Sequence, residues 1–170
     1  MEPKKSILDY LTLGTLEAIF DSYCTDYEGI CIAINDMDEN IIIARNFHTI
    51  CSNFHRANPE TEKLCIECNK YITTFLETND YIEYKCKNGL VDIAFPLIVE
   101  EQRIGTFYIG QVFVEGDLTP ESFFVEHAKK HNFNNPEYLK VAKSIKTLDR
   151  QKIDSLVERI KNDIVSLITL

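Results

Sequence analysis

Long apolar runs are missing from this chain. None reaches the roughly 18 residues that a membrane-spanning helix needs. The opening Met1-Glu2-Pro3-Lys4-Lys5 is not followed by an unbroken apolar stretch, because Asp9 and Thr12 interrupt it, so no secretory signal is read there. Basic charge is also short: 18 Lys and Arg against 27 Asp and Glu leave a net charge of −9. That argues against nucleic-acid binding by this domain, which would need clustered cations for phosphate contacts, and against an anionic membrane surface. Glycine (6) and proline (5) are few, and no linker, low-complexity tract or internal repeat divides the chain. Its 170 residues fit one domain, 1–170, long enough to bury a core without covalent staples. Catalytic signatures are missing too. There is no P-loop, G-x-G-x-x-G, G-x-S-x-G or H-E-x-x-H, so the chain does not read as an enzyme. The expected compartment is the cytoplasm, where cysteines are free thiols, metal ligands or redox groups rather than disulfides.

Cysteine is what the chain does have. Four of its 6 cysteines, Cys51, Cys65, Cys68 and Cys86, follow the spacing C-x13-C-x2-C-x17-C. Cys65 and Cys68 lie about one helical turn apart, so two thiolates can converge on one ion, and zinc accepts four sulfur ligands in a tetrahedron. A zinc ribbon normally has two short C-x-x-C knuckles, and here there is one. Four buried or pocket-lining thiols, or a redox role, account for the same spacing. Cys24 and Cys31 fall within the apolar pattern and read as core. His48 and His55 flank Cys51 and read as ligands, pocket hydrogen-bonding groups or surface residues. His127 and His131, four apart, read as a metal pair or an exposed helix face.

The periodicities predict an α+β fold. Residues 6–25 are helical, with Gly14 weakening or splitting the helix. Residues 29–34 and 41–44 form a hairpin around the polar turn 35–40. Asn58 caps a helix that starts with Pro59 and runs to about Thr78, where Asn79-Asp80 stops it. Strands follow at 81–86, 90–99 and 103–114, joined by Lys87-Asn88-Gly89 and Glu100-Glu101-Gln102, with Pro96 marking an edge or a bulge. Thr119-Pro120 and Asn135-Pro136 open two more helices. Over 150–168, Ile153, Val157, Ile160, Ile164 and Leu167 form a heptad stripe. That stripe predicts either a helix packed on the sheet or a signalling or dimerising surface. Helix, two strands, helix, three strands, helices is the layout of an antiparallel sheet flanked by helices, as in PAS and GAF sensors. If Val91, Ile93 and Phe95 face the core, Asp92 faces solvent or a ligand cavity, and Gln111 after Gly110 points the same way.

The run Tyr84-Lys85-Cys86-Lys87-Asn88-Gly89-Leu90-Val91-Asp92-Ile93-Ala94-Phe95-Pro96-Leu97 resembles the Y-x-C-H-x-G-L-x-D-x-A-x-P-I core of PocR-type sensory domains. Ile104-Gly105-Thr106-Phe107-Tyr108-Ile109-Gly110-Gln111-Val112 is similar to that family's G-Q-V strand. Cys51 and Cys65 stand where the family has its two upstream cysteines, and the resemblance extends over about residues 6–165. It implies a PAS/GAF-like sensor of a small hydrocarbon derivative such as a short diol. It also implies an output partner, either a histidine kinase or a transcription-factor domain. Ligand-lining residues would include Phe47, Cys51, Cys86, Asp92 and Gln111. Lys87 replaces the family's frequent His, and Cys68 before Asn69 replaces its common Ser before Asp. The alternative is a metal or redox sensor in which Cys51, Cys65, Cys68 and Cys86 are the receptor and zinc is the cofactor.

Overall fold

A computed structural model describes residues 3–77 and 80–169. A short 3-10 turn, Ile7–Asp9, precedes α1 (Leu13–Asp26). The expected first helix is therefore split, but ahead of Gly14: the Thr12 side chain accepts a hydrogen bond from the Thr15 N–H and starts α1 afresh. Strands β1 (Cys31–Asn35) and β2 (Ile41–Arg45) form the hairpin. A π-helical turn, Cys51–His55, leads into α2 (Pro59–Thr73), which Asn58 caps as expected through its side-chain oxygen. Helix α2 ends five residues short of the expected Thr78. The stop assigned to Asn79 lies, with Thr78, outside the described residues.

Then come β3 (Ile82–Lys85), β4 (Val91–Val99) and β5 (Gln102–Val114), helices α3 (Glu121–His131) and α4 (Asn135–Ala142), a two-residue β6 (Thr147–Leu148) and α5 (Arg150–Ile168). The sheet order is β2-β1-β5-β4-β3, antiparallel throughout, with β6 added parallel to the end of β5. This is the expected α+β arrangement of an antiparallel sheet flanked by helices. Pro96 lies beyond the end of β3, which pairs with β4 only as far as Ile82 opposite Ala94, so its missing N–H interrupts no ladder on that side. Strand β6 and the π-helical turn had no recognisable signal in the sequence.

Strand alternation gives the sheet two unlike faces. Ile32, Ile34, Ile93, Phe95, Phe107 and Ile109 point to one side, where Leu16, Phe20 and Tyr23 of α1 and the apolar face of α5 cover them. Phe95 and Phe107, directly opposite across β4 and β5, stack at 5.1 Å with nearly parallel rings. The heptad stripe of α5 is packed here: Ile153, Val157, Ile160 and Ile164 are all at most 2% exposed. Each such side chain contributes about 1.5–3 kcal/mol through burial, and that face is not free for a second chain. Arg159 fastens α5 to α1 through Asp26 (2.8 Å) and the Tyr27 hydroxyl (3.1 Å).

The other face carries Cys31, Ala33, Asn35, Asp92, Ala94, Tyr108 and Gly110. These are small or polar residues, and among the described residues Ile72 of α2 and Leu76 just beyond its end pack on part of them. Small side chains under a helix leave space, and the space is a cavity.

The β4–β5 turn is tight and strained. Glu100 and Glu101 adopt φ of 50° and 65°, a left-handed pair of the kind normally taken by Asn-Gly. Glu101→Gly relieves one of them without touching the Lys5–Glu100 ion pair. It is expected to raise stability by about 0.5–1 kcal/mol, the left-handed penalty less the added unfolded-state entropy. Urea unfolding checks this, and an unchanged or lower midpoint would contradict it.

Candidate functional site

The expected ligand residues come together. Two adjoining chambers lie between the sheet and the segment from Phe47 through α2, and they share Arg56, Asn69, Asp92 and Gln111. The larger, about 300 Å³, runs along Cys31, Ala33 and Asn35 of β1 to the β1–β2 loop and includes Phe47. The smaller, about 30 Å³, holds Cys51, Cys65, Cys68 and Cys86.

Asp92 stands at the junction because the backbone beside it is irregular. Val91 pairs with Val112 and Asp92 with Gly110, so Gln111 is an extra residue bulged out of β5. Gln111 takes φ of +59°, a left-handed conformation unusual outside glycine. That turn aims its N–H at Asp92 Oδ1, 3.1 Å away. Gly110 makes the approach possible: a Cβ there would lie 1.8 Å from the same carboxylate oxygen. The Gln111 side chain, 7% exposed, accepts the His48 N–H and so holds the loop that carries Phe47 over the cavity. Arg56 stacks over the Phe47 ring at 4.9 Å.

Burial pushes the Asp92 carboxyl up to about 6, while the Gln111 N–H and the Arg56 guanidinium pull the other way. Near neutral pH it is an acceptor with lone pairs facing the cavity, close to its own titration. The thiols behave differently. All six cysteines are free. Burial, reinforced by the nearby Asp92 charge, raises Cys51 and Cys86 well above the ordinary thiol range, and burial also raises Cys65. They are neutral thiols at neutral pH, unlike the thiolates that metals and electrophiles require. Among the described residues no group of three or more His, Cys, Asp or Glu side chains is disposed to hold a metal ion.

Behind the thiols lies a buried polar cluster that the sequence reading missed. Asn88, 1% exposed at the turn after Cys86, donates to Cys65 Sγ (3.1 Å) and to the Thr61 carbonyl (3.0 Å). Its side-chain oxygen is hydrogen-bonded to His127 Nε2 at 2.8 Å. His55, fully buried, shares a 2.8 Å hydrogen bond with the Tyr138 hydroxyl. His127 and His131 are therefore not on an exposed helix face: they are 8% and 6% exposed, packed ring against ring at 4.6 Å. Helix α3 turns that face inward because Phe124 and Ala128 share it. The signal available in the sequence was this i, i+3, i+4, i+7 pattern from Phe124 to His131. Cys31 is buried as expected but also lines the cavity, and Cys24 is packed at the core's edge.

The titrations carry opposite signs. Burial depresses His55 to about 3 and His127 to about 4. The stability they contribute is full above the ordinary histidine pKa and is lost as pH falls from about 6.5 toward 4. Asp92 is raised, so its contribution is full at acid pH and is lost as pH rises through about 6. Asp92→Asn keeps the oxygen that accepts the Gln111 N–H and removes the charge. The variant is expected to be more stable than the parent at pH 8 by about 1–2 kcal/mol, with the two converging near pH 4. Urea midpoints at the two pH values measure this, and a pH-independent difference would contradict it.

One comparison with known proteins places the chain in a family. The family described as "Sensory domain found in PocR" matches residues 9–169, nearly the whole chain. No curated protein matches it. Among the described residues no helix is long and apolar enough to cross a membrane. A cavity on the uncovered face of an antiparallel sheet, with Asp92 and Gly110-Gln111 at its floor, is what the matched segments build: the chain belongs to the family of PocR sensory domains.

Proposed function

We propose that this domain senses a small hydroxyl-bearing hydrocarbon derivative, such as a short diol, bound in the cavity between the sheet and α2. The observation that carries the reading is the Asp92 carboxylate, held by Gln111 and facing a cavity of about 300 Å³. That volume is at the lower end of the roughly 300–1,000 Å³ typical of small-molecule sites. A ligand hydroxyl donates to Asp92 and compensates a buried charge. Phe47, Cys51 and Cys86 supply apolar or weakly polar contact, and Gln111 closes the floor.

Occupancy reaches α5 by a short route. Two residues beyond Gln111, the Phe113 N–H donates to the Lys146 carbonyl, and the Glu115 N–H donates to the Leu148 carbonyl. These bonds pair β5 with β6, and Asp149 directly after β6 caps α5. A ligand that changes the bulge biases the start of α5 and hence a histidine kinase or transcription-factor output in the cytoplasm. A homodimer, if formed, uses a surface other than the buried stripe.

The gathering of four thiols in one small chamber favours a second reading, a zinc or redox sensor built from Cys51, Cys65, Cys68 and Cys86. Burial, which raises the Cys51, Cys65 and Cys86 thiols and keeps them protonated, weighs against it.

Titration with short diols and alcohols is expected to raise the melting temperature, by the equivalent of about 2.7 kcal/mol at a hundred times Kd. The effect should be lost in Asp92→Ala. Absence of any shift with small polar organic compounds would overturn the first reading. Stoichiometric zinc in the purified protein that disappears in Cys51→Ser and Cys86→Ser would establish the second.

A further inference from the structure

The cavity has a second polar end, away from Asp92 and the thiols. Asn35 closes β1 and is 3% exposed. Its amide donates to Glu39 Oε2 (3.2 Å), and the Tyr108 hydroxyl donates to the same oxygen (2.7 Å). Both bonds fall on one carboxylate oxygen. Glu39 Oε1 and Asn35 Oδ1 are buried with no hydrogen-bond partner among the described residues. Both residues line the larger chamber. Thr106, opposite Asn35 on β5 and 1% exposed, also has an unpartnered hydroxyl. Buried polar atoms are almost always partnered, and leaving one unmade is costly. Here two unmatched acceptors sit at one end of one cavity.

Their placement is not an accident of a loose loop. Asp36 Oδ1 accepts the N–H groups of Asp38 and Asn40, closing the β1–β2 loop, and Glu39 takes φ of +65° within it. That left-handed residue turns its side chain back toward Asn35 and Tyr108. No cation lies within ion-pair distance of the Glu39 carboxylate among the described residues; the nearby Lys4 pairs with Asp38 instead.

The register sets the separation of the two ends. Asp92 is opposite Gly110, and Gly110 is opposite Cys31. Asn35 is four residues further along β1, about 13 Å at roughly 3.3 Å per residue. Ala33 and Tyr108 lie between, opposite each other. The cavity is therefore elongated, with acceptors at both ends and Ala33 and Tyr108 between them on the sheet side, and Ile66, Asn69 and Lys70 of α2 also line it. A two- or three-carbon diol would engage one end and leave the other unmatched.

We infer that Asn35 and Glu39 form a second anchoring point, and that the domain's ligand is an extended, unbranched chain carrying a hydrogen-bond donor, hydroxyl or ammonium, at each end. This rests on the cavity being the sensor's ligand site. One donor meets Asp92, and the other meets Glu39 Oε1 and Asn35 Oδ1.

Calorimetric titration of the full chain tests it with 1,2-propanediol, 1,6-hexanediol, 6-amino-1-hexanol, 1,6-diaminohexane and, as a one-ended control, 1-hexanol. At least one two-ended six-carbon compound is expected to bind tenfold or more tighter than both 1-hexanol and 1,2-propanediol. A purely apolar far end would favour 1-hexanol, so the order is diagnostic. Glu39→Gln is expected to erase most of that advantage, and Tyr108→Phe part of it, with 1,2-propanediol binding changed less than twofold in each. Tighter binding of the amines than of the diol assigns the second donor as ammonium; the reverse assigns a hydroxyl, and either result upholds the inference. If 1,2-propanediol binds but the two-ended compounds bind no better than 1-hexanol, or Glu39→Gln changes nothing in a folded variant, the second anchor is overturned while the sensor reading stands. If none of the five binds, both fall.

Discussion

One hydrogen bond organises the cavity: the Gln111 N–H donating to the Asp92 carboxylate across a bulge in β5. It requires three unusual choices at once. Position 110 must lack a Cβ, since that atom would overlap the carboxylate. Position 111 must accept a left-handed backbone. Position 92 must present an acceptor oxygen, and the carboxyl that does so stands in a site that disfavours its charge. Each choice is destabilising alone or excludes other residues. Together they aim a carboxylate, close to its titration, into a space that the neighbouring small side chains leave open. Strain and a buried charge concentrated at one place are the usual mark of a site selected for something other than stability.

The rest of the molecule can be understood from that junction. Below it, α1 and α5 cover one face of the sheet with an ordinary apolar core, and this face carries the stability. Above it, the other face is lined with alanine, glycine and cysteine, and so it cannot close on α2. The Gln111 side chain holds the His48 segment, which brings Phe47 and the π-helical turn with Cys51 against the cavity. Asn88 links the thiol chamber to His127 of α3, so the helices near the C-terminal end also meet the site through buried polar contacts.

Much of this was legible in the sequence, for identifiable reasons. Strand alternation placed Val91, Ile93 and Phe95 on the core side and therefore Asp92 on the other. Asn58-Pro59 and Asn88-Gly89 marked a helix start and a turn by local chemistry that tertiary packing did not override. The four clustered cysteines read equally as a metal set or as pocket thiols. Burial and the Asp92 charge, which keep Cys51 and Cys86 protonated, act through space and leave no trace in the spacing. The bulge at Gln111 was hidden since one inserted residue leaves the apolar pattern of β5 nearly intact. His127 and His131 were misplaced because histidine is ambiguous on either side of a helix. Arg56 and Glu39 gave no signal, since a π-helical turn and a left-handed loop residue aim them into the cavity.

The central claim is that Asp92 is a buried acceptor for a ligand hydroxyl. The most direct measurement is an NMR titration of the Asp92 carboxyl carbon with pH, in the absence and presence of saturating 1,2-propanediol. A carboxyl that titrates near 6 alone and shifts to lower pH with the diol, because a donated hydrogen bond favours the charged form, is the predicted result. A carboxyl that titrates near the ordinary value of about 3.9, unmoved by the diol, would contradict the account.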